Sequence, residues 1–150
     1  MDRSTTLLLQ ELVRRESISL LSYVGDAYPW TARRDAAELV QLRRIVDDHR
    51  QGVSTLIRTL LRAQMPMPFI GSFPSGFTTV NFLALGHLLP RLIDTERKSL
   101  AQLVAELPLV TDADCRTAVE HFLAVKRGNL ARLEGLAPAP TAPPPTQAAS

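Results

Sequence analysis

Apolar side chains recur at intervals of three and four residues over four long stretches of this chain, and prolines interrupt the pattern between them. That period belongs to amphipathic helices with one stripe turned inward, so the sequence predicts an all-α chain of four helices. The first is expected from about Ser4 to Ala27, with Leu9, Leu12, Val13, Leu20, Tyr23, Val24 and Ala27 on one face and Pro29 marking its end. The second starts between Thr31 and Asp35, where the run Asp35 to Glu38 resembles a capping box. It continues through Leu39, Leu42, Ile45, Val46, Val53, Leu56, Ile57, Leu60 and Leu61 to about Gln64. At 1.5 Å per residue its length is about 45 Å.

The third helix is expected from about Thr79 to Leu107, carrying Phe82, Leu85, Leu89, Leu92, Ile93, Leu100, Leu103, Val104 and Leu107. Pro90 inside it removes a hydrogen bond to Gly86 and predicts a kink. The fourth opens at Thr111-Asp112-Ala113-Asp114, a cap whose acids suit the helix dipole, and fades near Gly135. Its stripe holds Cys115, Val119, Phe122, Leu130 and Leu133, and Gly128 weakens its middle by about 1 kcal/mol relative to alanine.

Between the second and third helices, Pro66, Pro68, Pro74, Gly71 and Gly76 forbid a continuous helix over residues 65–77. The segment is nevertheless apolar, which suits an ordered connection packed against the helices. Fully extended it reaches about 43 to 47 Å, comparable with the second helix. The connection can therefore run the height of a bundle and leave helices two and three pointing the same way. Residues 1–136 are expected to form one four-helix bundle. Residues 137–150, built from Ala, Pro, Thr, Gln and Ser, read as a disordered tail.

Composition narrows the function classes. The 150 residues suffice for a core without disulfides, and 45% hydrophobic with 21% charged residues is ordinary globular usage. Cys115 stands alone, which excludes an internal disulfide and points to a buried, inert thiol in a reducing compartment. The net charge is only +2, and the pairs Arg14-Arg15, Arg33-Arg34 and Arg43-Arg44 sit among acids rather than on one basic element. No nucleic-acid partner is expected on that pattern. The apolar run Leu7 to Leu9 is too short for a signal peptide, and no run approaches the roughly 18 residues that cross a bilayer. No membrane partner is expected, and the expected location is cytoplasmic. Gly71 and Gly76 lack the lysine of a phosphate-binding loop.

Polar residues on core stripes carry the functional information. Glu16 lies central on the first stripe, His49 on the second and Glu96 on the third, while His121 sits at the flank of the fourth. A buried carboxylate must neutralise, pair or bind a cation. The first expectation is an ion pair with arginine, Arg43 or Arg50 for Glu16 and Arg91 or Arg97 for Glu96. The alternative is a metal site in which Glu16, His49, Glu96 and His121 hold iron, manganese or zinc. For His49 the competing reading is a hydrogen-bonded core histidine, and for His121 a half-exposed surface residue.

Two helical hairpins joined by a long crossover, with these side chains inside, resemble the ferritin-like superfamily over about residues 4 to 136. That resemblance implies a glutamate on helices one and three, which Glu16 and Glu96 look like, and a Glu-x-x-His motif on helices two and four. His49 and His121 look like the two histidines, but Val46 and Ala118 stand where the motif glutamates belong. Glu16 also lies closer to the bundle end than its partners, by about 6 to 10 Å at the helical rise. The resemblance therefore implies a bundle with a lost or reduced metal centre and no catalytic residues. Such a protein acts as a structural or interaction protein through its surface, a protein partner or homo-oligomerisation, and needs no cofactor. One alternative is an iron- or manganese-binding oxidoreductase using the same four residues. Another is a small-molecule-binding bundle, its pocket enclosed by the Pro90 kink and the 65–77 connection.

Overall fold

The structure is a computed structural model and describes residues 2–27 and 35–137, apart from the side chain of Phe82. The expectations for Pro29 and for the tail from residue 138 onward lie outside the described residues. Within them the chain is all-helical, with no strand: α1 (Arg3–Ser17), α2 (Leu20–Val24), α3 (Ala36–Arg62), α4 (Leu85–Glu106) and α5 (Ala113–Leu136). Two 3₁₀ helices, Ser75–Phe82 and Leu107–Leu109, flank α4. None of the described helices is long and apolar enough to cross a membrane.

Side-chain caps set several boundaries. Asp2 accepts the backbone N–H of Thr5 at 2.6 Å and opens α1. Asp112 does the same for Cys115 at 2.9 Å and opens α5, where the acids at residues 112 and 114 predict a start. The first helix is shorter than its periodicity predicts, because it breaks after Ser17 instead of running to Ala27. Ser17 Oγ donates to the Val13 carbonyl at 2.6 Å, and Ser19 Oγ accepts from the Ser22 N–H to cap α2. Serines offer the backbone these local alternatives, and two of them flanking Ile18 end the helix. Leu20, Leu21 and Val24 remain buried because α2 packs against α3 and α4.

The third long helix starts at Leu85, not at Thr79. Ahead of it, the hydroxyls of Thr78 and Thr79 donate to the carbonyls of Ser75 and Gly76, and these tight bonds favour 3₁₀ turns over an α-helix. α3 packs most extensively against α5, α5 against α4, and α1 against α3. Bidentate bonds from Arg15 to Glu106, at 2.7 and 2.5 Å, tie α1 to α4.

The interior consists of two apolar clusters. One gathers Leu9 and Leu12 of α1, Leu56 and Leu60 of α3, Leu103 of α4 and Phe122 of α5. The other gathers Leu21 of α2, Leu42 and Ile45 of α3, Leu88 and Leu92 of α4 and Leu133 of α5. Buried polar residues lie between the two clusters: Glu16 near the end of α1, His49 on α3, Glu96 on α4, and Lys126 and Asn129 on α5.

Two mid-helix glycines test this packing. A Cβ at Gly128 meets nothing within 4 Å, whereas one at Gly52 comes within 3.0 Å of Cδ2 of the fully buried Phe122. Gly128→Ala is expected to raise stability by about 1 kcal/mol, the helix-propensity gain. Gly52→Ala is expected to lose that gain to overpacking and lower stability. Urea denaturation of both variants beside the parent reads the difference in sign.

Candidate functional site

The layer between the clusters is built around Lys126. Its ammonium, on a residue only 1% exposed, donates to Glu16 Oε2 and to Glu96 Oε2, each at 2.9 Å. Three helices contribute to this triad: Glu16 from α1, Glu96 from α4 and Lys126 from α5. The ammonium also lies 5.6 Å from the centroid of the Phe122 ring, one turn earlier on α5. Ser99, one turn along α4 from Glu96, donates its hydroxyl to Glu16 Oε1 at 2.6 Å. Burial alone would raise the Glu16 pKa, but the Lys126 ammonium and the Ser99 hydroxyl hold the carboxyl below the ordinary glutamate value.

The break after Ser17 supplies the fourth side. Ending α1 there frees the Glu16 carbonyl from continuing the helix, and it accepts from Ser19 Oγ at 3.0 Å and Ser22 Oγ at 2.9 Å. His49 Nε2, from α3, lies 3.0 Å from the same carbonyl. A carbonyl only accepts, so Nε2 carries the hydrogen. Nδ1, buried, has no hydrogen-bond partner among the described residues. Burial pushes the His49 pKa down, and the Lys126 charge opposes protonation further although Glu16 and Glu96 favour it. The ring is a neutral core imidazole, 4.0 Å from Glu16 Oε2.

The structure thus brings Glu16, His49 and Glu96 together and leaves His121 apart. His121 is exposed and lines a separate groove between α3 and α5 with Asp48, Thr55 and Arg132. Five residues of helix separate it from Lys126, a rotation of about 140° at 100° per residue. Glu16 reaches the same depth as its partners because α1 ends beside it, so the offset expected from a helix running to Ala27 disappears.

These residues do not fit a metal ion. The inward oxygen of each glutamate is bound to an ammonium, the imidazole N–H is committed to a carbonyl, and one of the four expected ligands is at the surface. Among the described residues, no group of three or more His, Cys, Asp or Glu side chains is arranged to hold one. Comparisons with protein-family models, curated proteins and solved structures find no match to this chain.

An ion pair forms, but with Lys126 and none of the arginines expected. Arg50 binds the Ser22 carbonyl and Asp26, Arg97 binds Glu134, and Arg43 and Arg91 are exposed. The missed residue had a signal. Lys126 falls four residues after Phe122 and seven after Val119, within the gap between Phe122 and Leu130 on the fourth stripe. Cys115 is buried as expected, and its thiol pKa is pushed up to about 12 by burial and by Asp112. It is no nucleophile at neutral pH.

Two predictions follow from the layer's electrostatics. Lys126→Met strands two buried carboxylates and is expected to cost about 3–5 kcal/mol, whereas Glu16→Met, Glu96→Met and Lys126→Met combined recovers most of that loss. Denaturant titration of the single and triple variants measures both. Glu16 and His49 also make stability depend on pH. Both have folded pKa values below their ordinary ones, so the folded chain binds fewer protons than the unfolded chain. Stability is present above the ordinary values and is lost as pH falls: first below the 6.5 of histidine, then below the 4.5 of glutamate. In urea midpoints measured across that range, His49→Gln is expected to flatten the upper portion alone.

Proposed function

We propose that this chain is a ferritin-like four-helix bundle in which a lysine ammonium stands in place of a metal centre, and that it serves as a structural or interaction protein. The observation that carries this reading is Lys126 Nζ at 2.9 Å from one carboxylate oxygen of each of Glu16 and Glu96. A divalent cation between those carboxylates would face a fixed positive charge in a low-dielectric interior, so metal and ammonium compete for the same oxygens. With Val46 and Ala118 in place of the motif glutamates, no further carboxylate is supplied at those positions to offset the extra charge.

The bundle topology draws support from the two clusters. The C-terminal halves of α3 and α4 share the first cluster, and their N-terminal halves share the second. A connection that returns along the height of the bundle, leaving α3 and α4 pointing the same way, accounts for that sharing. An interaction role draws support from Leu61, Met67 and Phe69, which are 58%, 42% and 89% exposed where α3 gives way to the connection. A homo-oligomer or a protein partner covers such residues.

Elemental analysis tests the central claim. Protein purified without chelator, loaded with iron(II) and manganese(II) and desalted, is expected to retain neither stoichiometrically. Stoichiometric metal that disappears in Glu96→Ala would return the iron- or manganese-binding reading to first place.

A further inference from the structure

A groove of about 510 Å³ opens beside the charged layer, between the end of α1, the first 3₁₀ helix and α4. Its volume falls within the about 300–1,000 Å³ usual for small-molecule sites. Ile18, Leu20, Pro74 and Phe77 give it apolar walls, and Glu16 and Glu96 line it although both side chains are almost wholly buried.

Charge in the layer is unbalanced. Two carboxylates face one ammonium, and His49 is neutral, so the layer carries one uncompensated negative charge. The nearest other cation, Arg15, lies 3.9 Å from Glu16 Oε1 through Nε, but both its terminal nitrogens are bound to Glu106. Burying a net charge without a counter-ion is costly, and a cation entering the groove relieves that cost.

Most side-chain donors at the groove already have partners. Ser99 donates to Glu16, Thr95 to the Leu92 carbonyl, and Gln102 to Glu106. At the rim, Arg14 and Lys98 are paired with Glu11 and Asp94. One donor at the groove stays open: Arg15 Nε is buried without a hydrogen-bond partner among the described residues, 3.9 Å from Glu16 Oε1. Glu96 receives its side-chain hydrogen bond from Lys126 on Oε2, which leaves Oε1 to accept another. A ligand that brings a donor to Glu96 Oε1 fills that open acceptor.

We propose that this groove binds a small amphipathic amine, its ammonium at Glu96 and its apolar body against Ile18, Leu20, Pro74 and Phe77. The inference rests on the lysine-centred layer, since a metal ion between the two glutamates would cancel the charge that attracts the amine. It goes beyond the structural or interaction role by naming a ligand class.

The test is isothermal titration with three probes of one shape: 2-phenylethylamine, 2-phenylethanol and 3-phenylpropionate. One saturable site for the amine is expected, with the alcohol at least tenfold weaker and the carboxylate not bound. Glu96→Gln is expected to weaken the amine at least tenfold. If that variant does not fold, Ile18→Trp, which fills the groove from its edge and leaves the buried charges in place, is expected to abolish binding. Absence of saturable amine binding, equal affinity for the carboxylate, or full affinity in Ile18→Trp or in folded Glu96→Gln overturns the proposal. Metal analysis of the same preparation separates the two failures. Metal-free protein that ignores the amine sinks this inference alone, and stoichiometric metal sinks the reading beneath it.

Discussion

Removing three charges from water at mid-height of a helical core is costly, and only close geometry returns that cost. Lys126 meets this condition with two contacts of 2.9 Å to carboxylates on two different helices. Other features follow from it. Glu16 needs a second donor, which Ser99 provides, and Lys126 needs a neighbour that tolerates a cation, which the Phe122 ring provides. Gly52 lets α3 approach that ring closely, so the aromatic next to the ammonium is itself fixed by a missing side chain on a third helix.

The break in the first helix belongs to the same system. Had α1 continued through Ser19, the Glu16 carbonyl would have been used within the helix and His49 would have lost its acceptor. Instead the carbonyl takes bonds from Ser19, Ser22 and His49, which joins the start of α2 and the middle of α3 to the layer. Glu16 thus acts twice, through its carboxyl toward Lys126 and through its carbonyl toward His49. That double use gives one of the orphan carbonyls at the end of α1 its partners beside the core.

Periodicity made the long helices legible, because burying a stripe requires apolar residues every three to four positions whatever the partner. It also found Glu16, His49 and Glu96, since each occupies a stripe position where an apolar side chain is expected. It did not find the ends. Whether Ser17-Ile18-Ser19 stays helical depends on hydroxyls finding carbonyls in three dimensions, and no period reports that. Lys126 is not legible, for a different reason. Lysine is ordinarily a surface residue, so its residue type does not mark it as part of a core stripe. The arginines expected as counter-charges are the neighbouring hairpin's Arg43 and Arg50 for Glu16 and the nearby Arg91 and Arg97 for Glu96. Lys126 lies instead on the last helix, 110 and 30 residues from the two glutamates. His121, by contrast, carried its warning in the sequence: it lay at the flank of its stripe, and the structure places it at the surface.

A polar layer between two apolar clusters does something that apolar packing alone does poorly. Leucine-rich seams above and below could slide by one turn, about 5.4 Å, and still bury much of their surface. The same slide would carry the Lys126 ammonium away from both carboxylates and leave unpaired charges in the interior, where each costs several kcal/mol. The layer therefore penalises shifted packings more than it stabilises the correct one. It sets α1, α4 and α5 in register through Lys126, and α3 through His49 and the Glu16 carbonyl. Because one negative charge stays uncompensated and a groove reaches it, the feature that fixes the register is also the place where the molecule has chemistry left to offer a ligand.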